Sequence, residues 1–444
     1  MMRSTTAIIS LLLVTLLHAQ GPLSISLQQA MDLAAKQSYT VQNSALEAEK
    51  ALHKVREITA LGLPQINGEG SITNYPNVPK QLIPNFFSAP GQGPEFIAAQ
   101  FGLPWNVTGG LSLNQLLFDG SYFVGLKASK ELAEQGRINL EQTEADARNQ
   151  AAKAYYGVLA AQEGQRLAGE SIPLLETSQR EMQAMVEAGF MENTDVDRIT
   201  IQLDQARTQQ RNFVQQEKVG RMLLALALGT PQGTPITLTD ELRTIIDDAN
   251  ESAISEQEIA TGDHVDMRIA ENYVRLQQLN WKNERVKALP KLSGFANHQQ
   301  IWNGPKFDPG GAYPFFPSTL WGLQLNVPIF SSGSRYQVVK QAKINLEQSE
   351  VNRVATEQKL IADAEQARGQ ARTAYENFRT EERGMELSRT IMERTRIKFN
   401  NGAGSSFEFT QEQSNFLVAQ QVYIQRMLEL LTARADLRRA LDKY

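Results

Sequence analysis

Side chains that commonly carry out catalysis or bind metals are few and scattered in this sequence. The chain has no cysteine and only four histidines, which are His18, His53, His264 and His298. A zinc-type site needs three or four ligands close together, and these histidines fall in different predicted elements. No nucleophile elbow, phosphate-binding loop or dinucleotide fingerprint occurs. The residue types therefore predict a protein that is not an enzyme and needs no metal or cofactor.

Composition narrows the class of protein further. Charged residues make up 21% of the 444 residues and the net charge is −5. Neither a basic nucleic-acid-binding surface nor a disordered acidic tail is indicated by these values. The length suits two or three compact domains, or one elongated architecture made of duplicated halves.

The N-terminal residues have the pattern of a secretory signal peptide, which we predict for residues 1–19. Arg3 supplies the positive start, residues 7–17 form an apolar run, and a plausible cleavage site precedes Gln20. The apolar run is shorter than the about 20 residues of a transmembrane helix. Without cysteine, no lipid-modified cysteine can follow cleavage. We therefore expect an exported protein that is not a lipoprotein.

The same order of elements occurs twice along the chain. Each half begins with a helical pattern that ends at a Leu-Pro step, and continues with two alternating segments, a long helical run, a glycine turn and a returning helix. The opening helices are predicted at 26–59 and 263–287, before Leu63-Pro64 and Leu289-Pro290. Such self-similarity indicates duplication. We predict a first structural repeat (20–229), a connector (230–262) and a second structural repeat (263–444).

The alternating segments have one apolar and one polar face. The apolar residues are Ile66, Gly68, Gly70 and Ile72, then Trp105, Val107, Leu111 and Leu113, and in the second half Trp321, Leu323, Leu325 and Val327. Segments of about 10 residues with this alternation and a terminal tryptophan are typical of transmembrane barrels. We expect Trp105 and Trp321 at the membrane interface. A soluble two-sheet sandwich is the alternative.

Four strands are too few to close a barrel, because closure takes about eight. A barrel therefore requires several copies of the chain.

Two long runs rich in Ala, Gln, Glu, Arg and Leu predict helices over 121–187 and 335–400. Each would be about 100 Å long, and Pro173 is expected to kink the first. Seven-residue repeats indicate narrow packing seams. These repeats are Ile138, Ala145, Ala152 and Leu159; Val196 and Leu203 with Ile199, Ala206 and Phe213; and Phe409, Phe416, Tyr423 and Leu430. The composition favours a wall one helix thick with water on both sides. An ordinary coiled-coil dimer or a spectrin-like bundle is the alternative.

Over essentially the whole mature chain, the sequence resembles the TolC-type family of outer-membrane efflux proteins, also called outer membrane factors. The resemblance rests on the order, duplication and spacing of several short motifs. They are Leu27-x-x-Ala30-x-x-Leu33-Ala34, Leu63-Pro64-x-Ile66, Leu117-Phe118-Asp119-Gly120, Thr194-Asp195-Val196 after a glycine turn, and Ala419-Gln420 in a closing helix that ends near Ala440-Leu441.

The resemblance implies a mainly α fold with transmembrane β structure. Duplicated long-helix hairpins would form a periplasmic α-barrel, and four strands per chain would contribute to a β-barrel shared by a homotrimer. Residues 76–104 and 299–318 would be extracellular loops, and residues from about 230 to 262 an equatorial belt.

The resemblance also implies a constriction at the helix tips. Glu408 matches the position of a carboxylate ring at the family's tunnel aperture. Gln411 replaces a second carboxylate, although Glu412 is adjacent, and Phe399 matches an aromatic gate residue. Asp195 is a further candidate, for which an acid stabilised by the helix dipole is the simpler interpretation.

At the position of Gly404, the best-known member of the family has an arginine that helps to lock the closed tip.

The glycines and helix starts at the tip also have purely structural interpretations. Gly189, Gly402 and Gly404 are candidates for contact with an adaptor, while a turn glycine that only supplies a positive φ is the alternative. The spacings Ser405-x-x-Glu408 and Thr194-x-x-Asp197 predict capping boxes. If Glu408 carboxylates converge in a pore, they would repel one another and favour cations.

The function implied is that of an outer-membrane channel tunnel, a passive conduit for small molecules or proteins in a tripartite efflux or type I secretion system. A periplasmic adaptor and an inner-membrane pump of the RND or ABC class would open the tip, and outer-membrane lipid would surround the barrel. Most of the chain would lie in the periplasm. The alternative is a periplasmic adaptor with long coiled-coil hairpins, but adaptors have one hairpin flanked by compact β domains. A secreted hydrolase is disfavoured by the absence of a catalytic constellation.

Overall fold

A computed structural model of the protein describes residues 23–87, 93–247 and 260–444. The predicted signal peptide, residues 1–19, lies outside the described residues. The chain divides into two units, and each draws on both halves of the sequence. The first unit contains the residues up to Ala45, Asn139–Met267 and Glu357–Tyr444, and the second contains Leu46–Ile138 and Arg268–Thr356.

The elements follow the predicted order. The first half contains β1 (Leu23–Ile25), α1 (Leu27–Gln37), α2 (Tyr39–Ala60), β2 (Gln65–Asn74), β3 (Lys80–Pro84), β4 (Phe96–Gln100), β5 (Trp105–Phe118), α3 (Gly120–Glu187) and α4 (Asn193–Leu228). The rest contains β6 (Ile236–Leu238), α5 (Leu242–Ile246), α6 (Val265–Val286), β7 (Lys291–Gly304), β8 (Phe316–Asn326), α7 (Ser334–Asn400) and α8 (Ser406–Ala440). The predicted long helices α3 and α7 are confirmed to within one residue at each end.

In the second unit, β2, β5, β7 and β8 form an antiparallel sheet in that order, so strands from the two halves meet at the β5–β7 pair. Ile66 lies opposite Leu113, Leu113 opposite Ala296, and Ala296 opposite Trp321. Directly opposed residues point to the same side of a sheet. The predicted apolar residues therefore share one face, where Ile66, Trp321 and Leu323 are 70%, 76% and 67% exposed.

The strands of the second half are longer than predicted, which corrects two predictions. β7 continues to Gly304 and β8 begins at Phe316, so the connecting loop is 305–315 rather than 299–318. Trp321 therefore lies inside β8 and not at its end. Pro317 made this segment resemble a loop, but proline is tolerated near the start of an edge strand. The other predicted loop, 76–104, contains the hairpin of β3 and β4.

An aromatic cluster that the sequence did not predict lies at the loop end of β5 and β7. Trp302 is fully buried, and its indole Nε1 donates a hydrogen bond of 2.9 Å to the Tyr313 carbonyl. The Phe307 ring lies 5.0 Å from the Trp105 ring and 6.4 Å from the Trp302 ring, between centroids. The loop 305–315 therefore folds over this end of the sheet.

The predicted seven-residue seams are confirmed, because nearly all their members are buried. The buried members are Ile138, Ala145, Ala152, Leu159, Ile199, Leu203, Ala206, Phe213, Phe409, Phe416 and Leu430. Three of them are alanine, which allows helices to approach closely. α3 continues through Pro173, whose carbonyl accepts a 2.9 Å hydrogen bond from the Thr177 hydroxyl. None of the helices in the described ranges combines the length and apolar character needed to cross a bilayer.

The single opening helix predicted over 26–59 is wrong, because the chain breaks at Ser38 into α1 and α2. Ser38 has extended geometry with ψ 145°, and its Oγ accepts a 3.3 Å hydrogen bond from the Val41 N–H. Serine is a favoured helix N-cap, so Ser38 begins α2. Gly229, at φ +68°, packs so closely that a Cβ there would lie 2.0 Å from the Gln37 carbonyl oxygen.

The first part of the predicted connector is held by a buried tyrosine, while residues 248–259 of that prediction lie outside the described residues. β6 pairs in parallel with β1, and the Tyr155 hydroxyl of α3 lies 3.2 Å from the Ile25 carbonyl and 3.1 Å from an Asp240 carboxylate oxygen. The same carboxylate accepts a 2.6 Å hydrogen bond from the Leu27 N–H. Burial, together with the Asp240 charge, raises the pKa of Tyr155 well above its ordinary value. Tyr155 therefore stays protonated and joins β1 and the connector to α3.

Candidate functional site at the hairpin tips

The two hairpin turns have the same backbone geometry. Gly189 ends α3 at φ +78° and Gly402 ends α7 at φ +72°. The Gly189 N–H donates to the Val186 carbonyl and the Phe190 N–H to the Met185 carbonyl, and the equivalent pair of bonds closes α7. This is the Schellman arrangement, in which glycine supplies the left-handed residue. The geometry alone accounts for both glycines, and their contact with an adaptor stays a prediction.

The helices that return from the two turns begin differently. The Ser405 side chain accepts a 3.1 Å hydrogen bond from the Glu408 N–H and caps α8. α4 begins after Glu192, which makes no side-chain capping bond. The predicted Thr194-Asp197 capping box is therefore wrong. Thr194 is already inside the helix, and its hydroxyl lies 3.3 Å from the Glu192 carboxylate.

The Glu408 side chain is exposed, and the cap uses only its backbone N–H. One turn further along α8, Gln411 donates a 3.1 Å hydrogen bond to the Asn415 side chain. Asn415 in turn donates a 3.3 Å hydrogen bond to the Glu412 carboxylate. The three predicted constriction residues of α8 therefore lie on accessible faces of one helix, and the charge of Glu408 is not needed for the cap.

Phe399 does not lie on the surface. It is buried and stacks on Phe409, with 5.2 Å between ring centroids and 14° between ring planes. Met182, Ile199 and Leu203 are buried in the same cluster. The cluster therefore joins both arms of the first hairpin to both arms of the second. The prediction that Phe399 is a gate residue remains untested.

Two polar contacts also link the returning helices. The Gln202 side chain donates a 2.6 Å hydrogen bond to the Thr410 carbonyl. The Arg198 guanidinium lies 5.5 Å from the centre of the Phe407 ring and forms a 3.2 Å ion pair with Asp195. Cation–π contacts of this kind contribute about 0.5–1 kcal/mol at exposed sites. The contact of Arg198 with Phe407 was not predicted. The sequence shows only that Arg198 follows Asp195 by three residues.

Both turns line one open cleft of ≈ 700 Å³. Its lining includes Gly189, Phe190, Asp195, Phe399, Gly402 and Gly404. The Phe190 side chain is 85% exposed at the first turn. The structure thus brings together six residues of the predicted or adjoining tip, while Glu408 and the Gln411–Glu412 pair lie outside the lining of this cleft.

No group of three or more potential metal-binding side chains is found in the part of the chain that the structure describes. The tip offers apolar packing, hydrogen bonds and exposed carboxylates.

Comparison with known families identifies the protein class. The model of the outer membrane efflux protein family matches residues 30–230 and 259–442. The chain belongs to this family. The two matched segments correspond to the two halves of the sequence, and neither match supports the alternative of a periplasmic adaptor.

Solved structures share the fold at low sequence identity. A structure of CusC is 16% identical with a TM-score of 0.72, covering 94% of this chain and 91% of the other. A membrane protein from Pseudomonas aeruginosa is 18% identical with a TM-score of 0.73 and the same coverage. The CmeC outer membrane channel of Campylobacter jejuni is 16% identical with a TM-score of 0.71, covering 94% and 85%. A search of curated proteins finds no significant match.

Proposed function

We propose that three copies of this chain form a passive export channel in the outer membrane. Four strands of each copy close a twelve-stranded barrel, and the helix hairpins form a periplasmic tunnel that is gated at its tips. The observation that carries the proposal is a four-stranded sheet with two free edges and one apolar exposed face, in a chain of the outer membrane efflux family.

The two faces of the sheet suit lipid on one side and water on the other. Large apolar side chains are exposed across one face, including Ile66, Leu111 and Trp321. Exposed apolar surface of this extent is a liability in water but is the expected exterior of a transmembrane barrel. On the other face polar side chains bond across strands: Ser71 to Thr108 at 2.7 Å, and Asn106 to Asn303 at 2.8 Å.

Assembly follows from the number of strands. Since closure takes about eight strands, one chain cannot enclose a pore, and three chains supply enough. A homotrimer also presents three copies of each tip residue around one axis.

The tips are the proposed gate. Glu408 would place one exposed carboxylate from each copy around the aperture, with Gln411 and the partly exposed Glu412 on the same helix. Asp195 contributes to the rim through its ion pair with Arg198. Phe399 would hold the closed state through its stacking on Phe409.

Partner proteins would supply the energy for export. The sequence has no nucleotide-binding fingerprint, so energy would come from an inner-membrane pump of the RND or ABC class. A periplasmic adaptor would contact the turns at Gly189, Gly402 and Gly404. The system is a tripartite efflux or a type I secretion system, with small molecules or proteins as cargo. Most of each chain would lie in the periplasm after removal of a signal peptide.

The test is ion selectivity in planar bilayers, with protein extracted from outer membranes. We expect cation-selective openings, and reduced selectivity in Glu408→Gln, which removes the charge and keeps the backbone cap. A unit charge about 5 Å from a passing ion contributes about 0.8 kcal/mol in water-like dielectric, or about a fourfold preference. The matched control is Glu49→Gln, since Glu49 is a 64% exposed carboxylate of α2.

Equal loss of ion selectivity in the Glu408→Gln and Glu49→Gln variants would show that Glu408 does not lie at the constriction. Absence of channels, together with recovery of the protein as a soluble periplasmic monomer, would contradict the channel itself. The triple variant Glu408→Ala, Gln411→Ala, Glu412→Ala then measures the whole rim, where we expect larger conductance.

A further inference from the structure

We propose that β2 of one copy pairs with β8 of the next copy in one register, with Gln65 opposite Asn326. This inference rests on the proposed trimer and deepens it. It specifies which residues meet at each junction between copies.

Both outer strands of the sheet have a free edge. Within the described residues, β2 pairs only with β5 and β8 only with β7. Rows of unpaired N–H and C=O groups favour pairing with another strand, and inside a bilayer such groups must be paired. The four strands alternate in direction, so β2 and β8 run oppositely. Joining copies edge to edge therefore continues the antiparallel order without interruption.

The lengths of the two strands favour one alignment. β2 has 10 residues and β8 has 11. With Gln65 opposite Asn326, every residue of β2 lies opposite a residue of β8. Displacing β2 by two residues in either direction leaves part of it beyond an end of β8. Pro64 precedes β2 and Pro328 follows Asn326 closely, and proline cannot donate to a ladder, so the pairing cannot be extended past this end.

The faces of the strands agree with this alignment. It places Ile66 opposite Leu325 and Gly70 opposite Trp321, so the apolar face continues from one copy to the next. A slip of one residue would turn the apolar side chains of β2 to the polar side. A large aromatic opposite a glycine is a favourable pair. The sheet already contains one, since the Phe295 ring lies over Gly322, where a Cβ would be 2.9 Å away.

Several alignments keep the apolar side chains of β2 and β8 on one face of the sheet. The tilt of the strands relative to the barrel axis distinguishes among them. Gln65, Asn114, Phe295 and Gly322 are directly opposed across one copy. The proposed register therefore displaces each new copy along β8 from Gly322 to Asn326. Four strands span about 19 Å and a displacement of four residues is about 14 Å, which corresponds to a tilt of about 35°. Barrels tilt by about 35–45°, whereas the two neighbouring even registers would need about 20° and about 47°.

Engineered cysteines test the register, because the chain has no cysteine of its own. Leu320→Cys is combined with Ser71→Cys for the proposed register, and with Glu69→Cys or Thr73→Cys for the neighbouring ones. Opposed Cα atoms lie about 4.5–5.5 Å apart, within disulfide reach, while diagonal ones lie about 7–8 Å apart. Within one chain Leu320 is in line with Asn67, which lies four residues before Ser71. Ser71 and Leu320 of one chain are therefore about 20 Å apart, so any bond joins two copies.

Outer membranes carrying each variant are oxidised and analysed on non-reducing gels, with single-cysteine variants as controls and native mass measured in parallel. We expect at least about fivefold more cross-linked chains for the Ser71–Leu320 pair than for the other two. Stronger or equal cross-linking by Glu69 or Thr73 overturns the register while the trimer stands. A trimer in which no pair cross-links overturns edge pairing. A monomeric mass overturns the trimer and the register together.

Discussion

Among single residues, Glu217 shows how a charged side chain can stabilise the packing of helices. Its carboxylate on α4 accepts hydrogen bonds from Gln162 and Gln165 of α3 and from Arg221. Arg221 also donates to the Ile236 carbonyl of β6. Burial acts to raise the pKa of Glu217, but these hydrogen bonds and the Arg221 charge outweigh it and lower the pKa. The ionised form therefore holds α3, α4 and β6 together.

Stability should depend on pH through this group. Because the folded-state pKa of Glu217 is lowered, its contribution is full above the unfolded value of about 4.3 and is lost as pH falls through the folded value. We expect Glu217→Gln to reduce the melting temperature of the detergent-solubilised protein at pH 7, and the difference from the parent to shrink towards pH 3. Hydrogen bonds to a charged group contribute about 1.5–3 kcal/mol.

Glu47→Gln is the control for this prediction, because Glu47 is 70% exposed and pairs only with neighbouring Lys50 among the described contacts. It should change the melting temperature little at either pH. If the difference in melting temperature between Glu217→Gln and the parent stays constant from pH 7 to pH 3, the effect comes from the shape of the side chain and not from its charge.

The sequence predicted the identities of the tip residues better than their contacts. Positions such as Glu408 and Phe399 could be placed near a turn, because they follow from motif order. The stacking of Phe399 on Phe409 and the contact of Arg198 with Phe407 could not be predicted, since they depend on how two hairpins pack. Trp302 was missed for the same reason, because its burial depends on a loop that folds back over it.

Among the elements, the helices were predicted most accurately where local signals agree. Leu-Pro steps and turn glycines mark the ends of the helices, and seven-residue repeats mark their buried sides. The break at Ser38 was missed because the apolar pattern continues through it, and only the hydrogen bond to Val41 reveals a new helix start. The outer ends of β7 and β8 were missed because they flank a stretch rich in proline, glycine and aromatic residues, which are common in loops.

The two returning helices should differ in the stability of their first turns. Ser405→Ala removes the capping oxygen of α8, at a cost of about 1 kcal/mol. We expect amide hydrogen exchange at residues 406–409 to become about fivefold faster. Thr194→Ala is the matched control, because Thr194 does not cap α4, and exchange at the start of α4 should stay unchanged.

Slower exchange at the start of α4 than at the start of α8 in the unmodified protein would contradict this account. So would an equal response of the two helices to their alanine substitutions.

At the scale of the whole molecule, the fold class was predicted from the family resemblance together with the duplicated order of elements, and the family match and the fold shared with solved structures confirm it. The alternation of the strands predicted one apolar face, and the ladder of opposed residues confirms that the apolar residues of β2, β5 and β8 share it. β7 is less regular, because Phe295 lies on the polar face opposite Asn114. The sheet order could not be predicted, because it depends on the β5–β7 pair between residues far apart in the chain. The hairpin of β3 and β4 was missed because its short strands lie in a stretch rich in proline, glycine and phenylalanine, a composition typical of irregular loops.

The tip contacts should influence the behaviour of the complete channel. Arg198→Ala removes the contact with Phe407 that links the two hairpins, and we expect the ratio of open to closed time in planar bilayers to rise. A loss of about 0.5–1 kcal/mol corresponds to about a two- to fivefold change for each chain. Single-channel recording measures this ratio directly.

Arg207→Ala is the control, because Arg207 lies on the same helix but pairs with Glu176 of α3 within one hairpin. It should leave gating unchanged. Equal gating of the Arg198→Ala variant and the parent would show that the Arg198–Phe407 contact does not restrain the tip.

The β5–β7 pair can form only late in the synthesis of the chain. β2 and β5 can pair early, but α3, α4 and the connector must all follow before β7 is available to complete the row. During that interval β5 exposes an edge that any copy of β7 would fit equally well. Only the covalent tether favours the right one, at an effective concentration on the order of millimolar for short flexible linkers and lower for long ones. A high concentration of newly made chains therefore favours the exchange of β7 between copies.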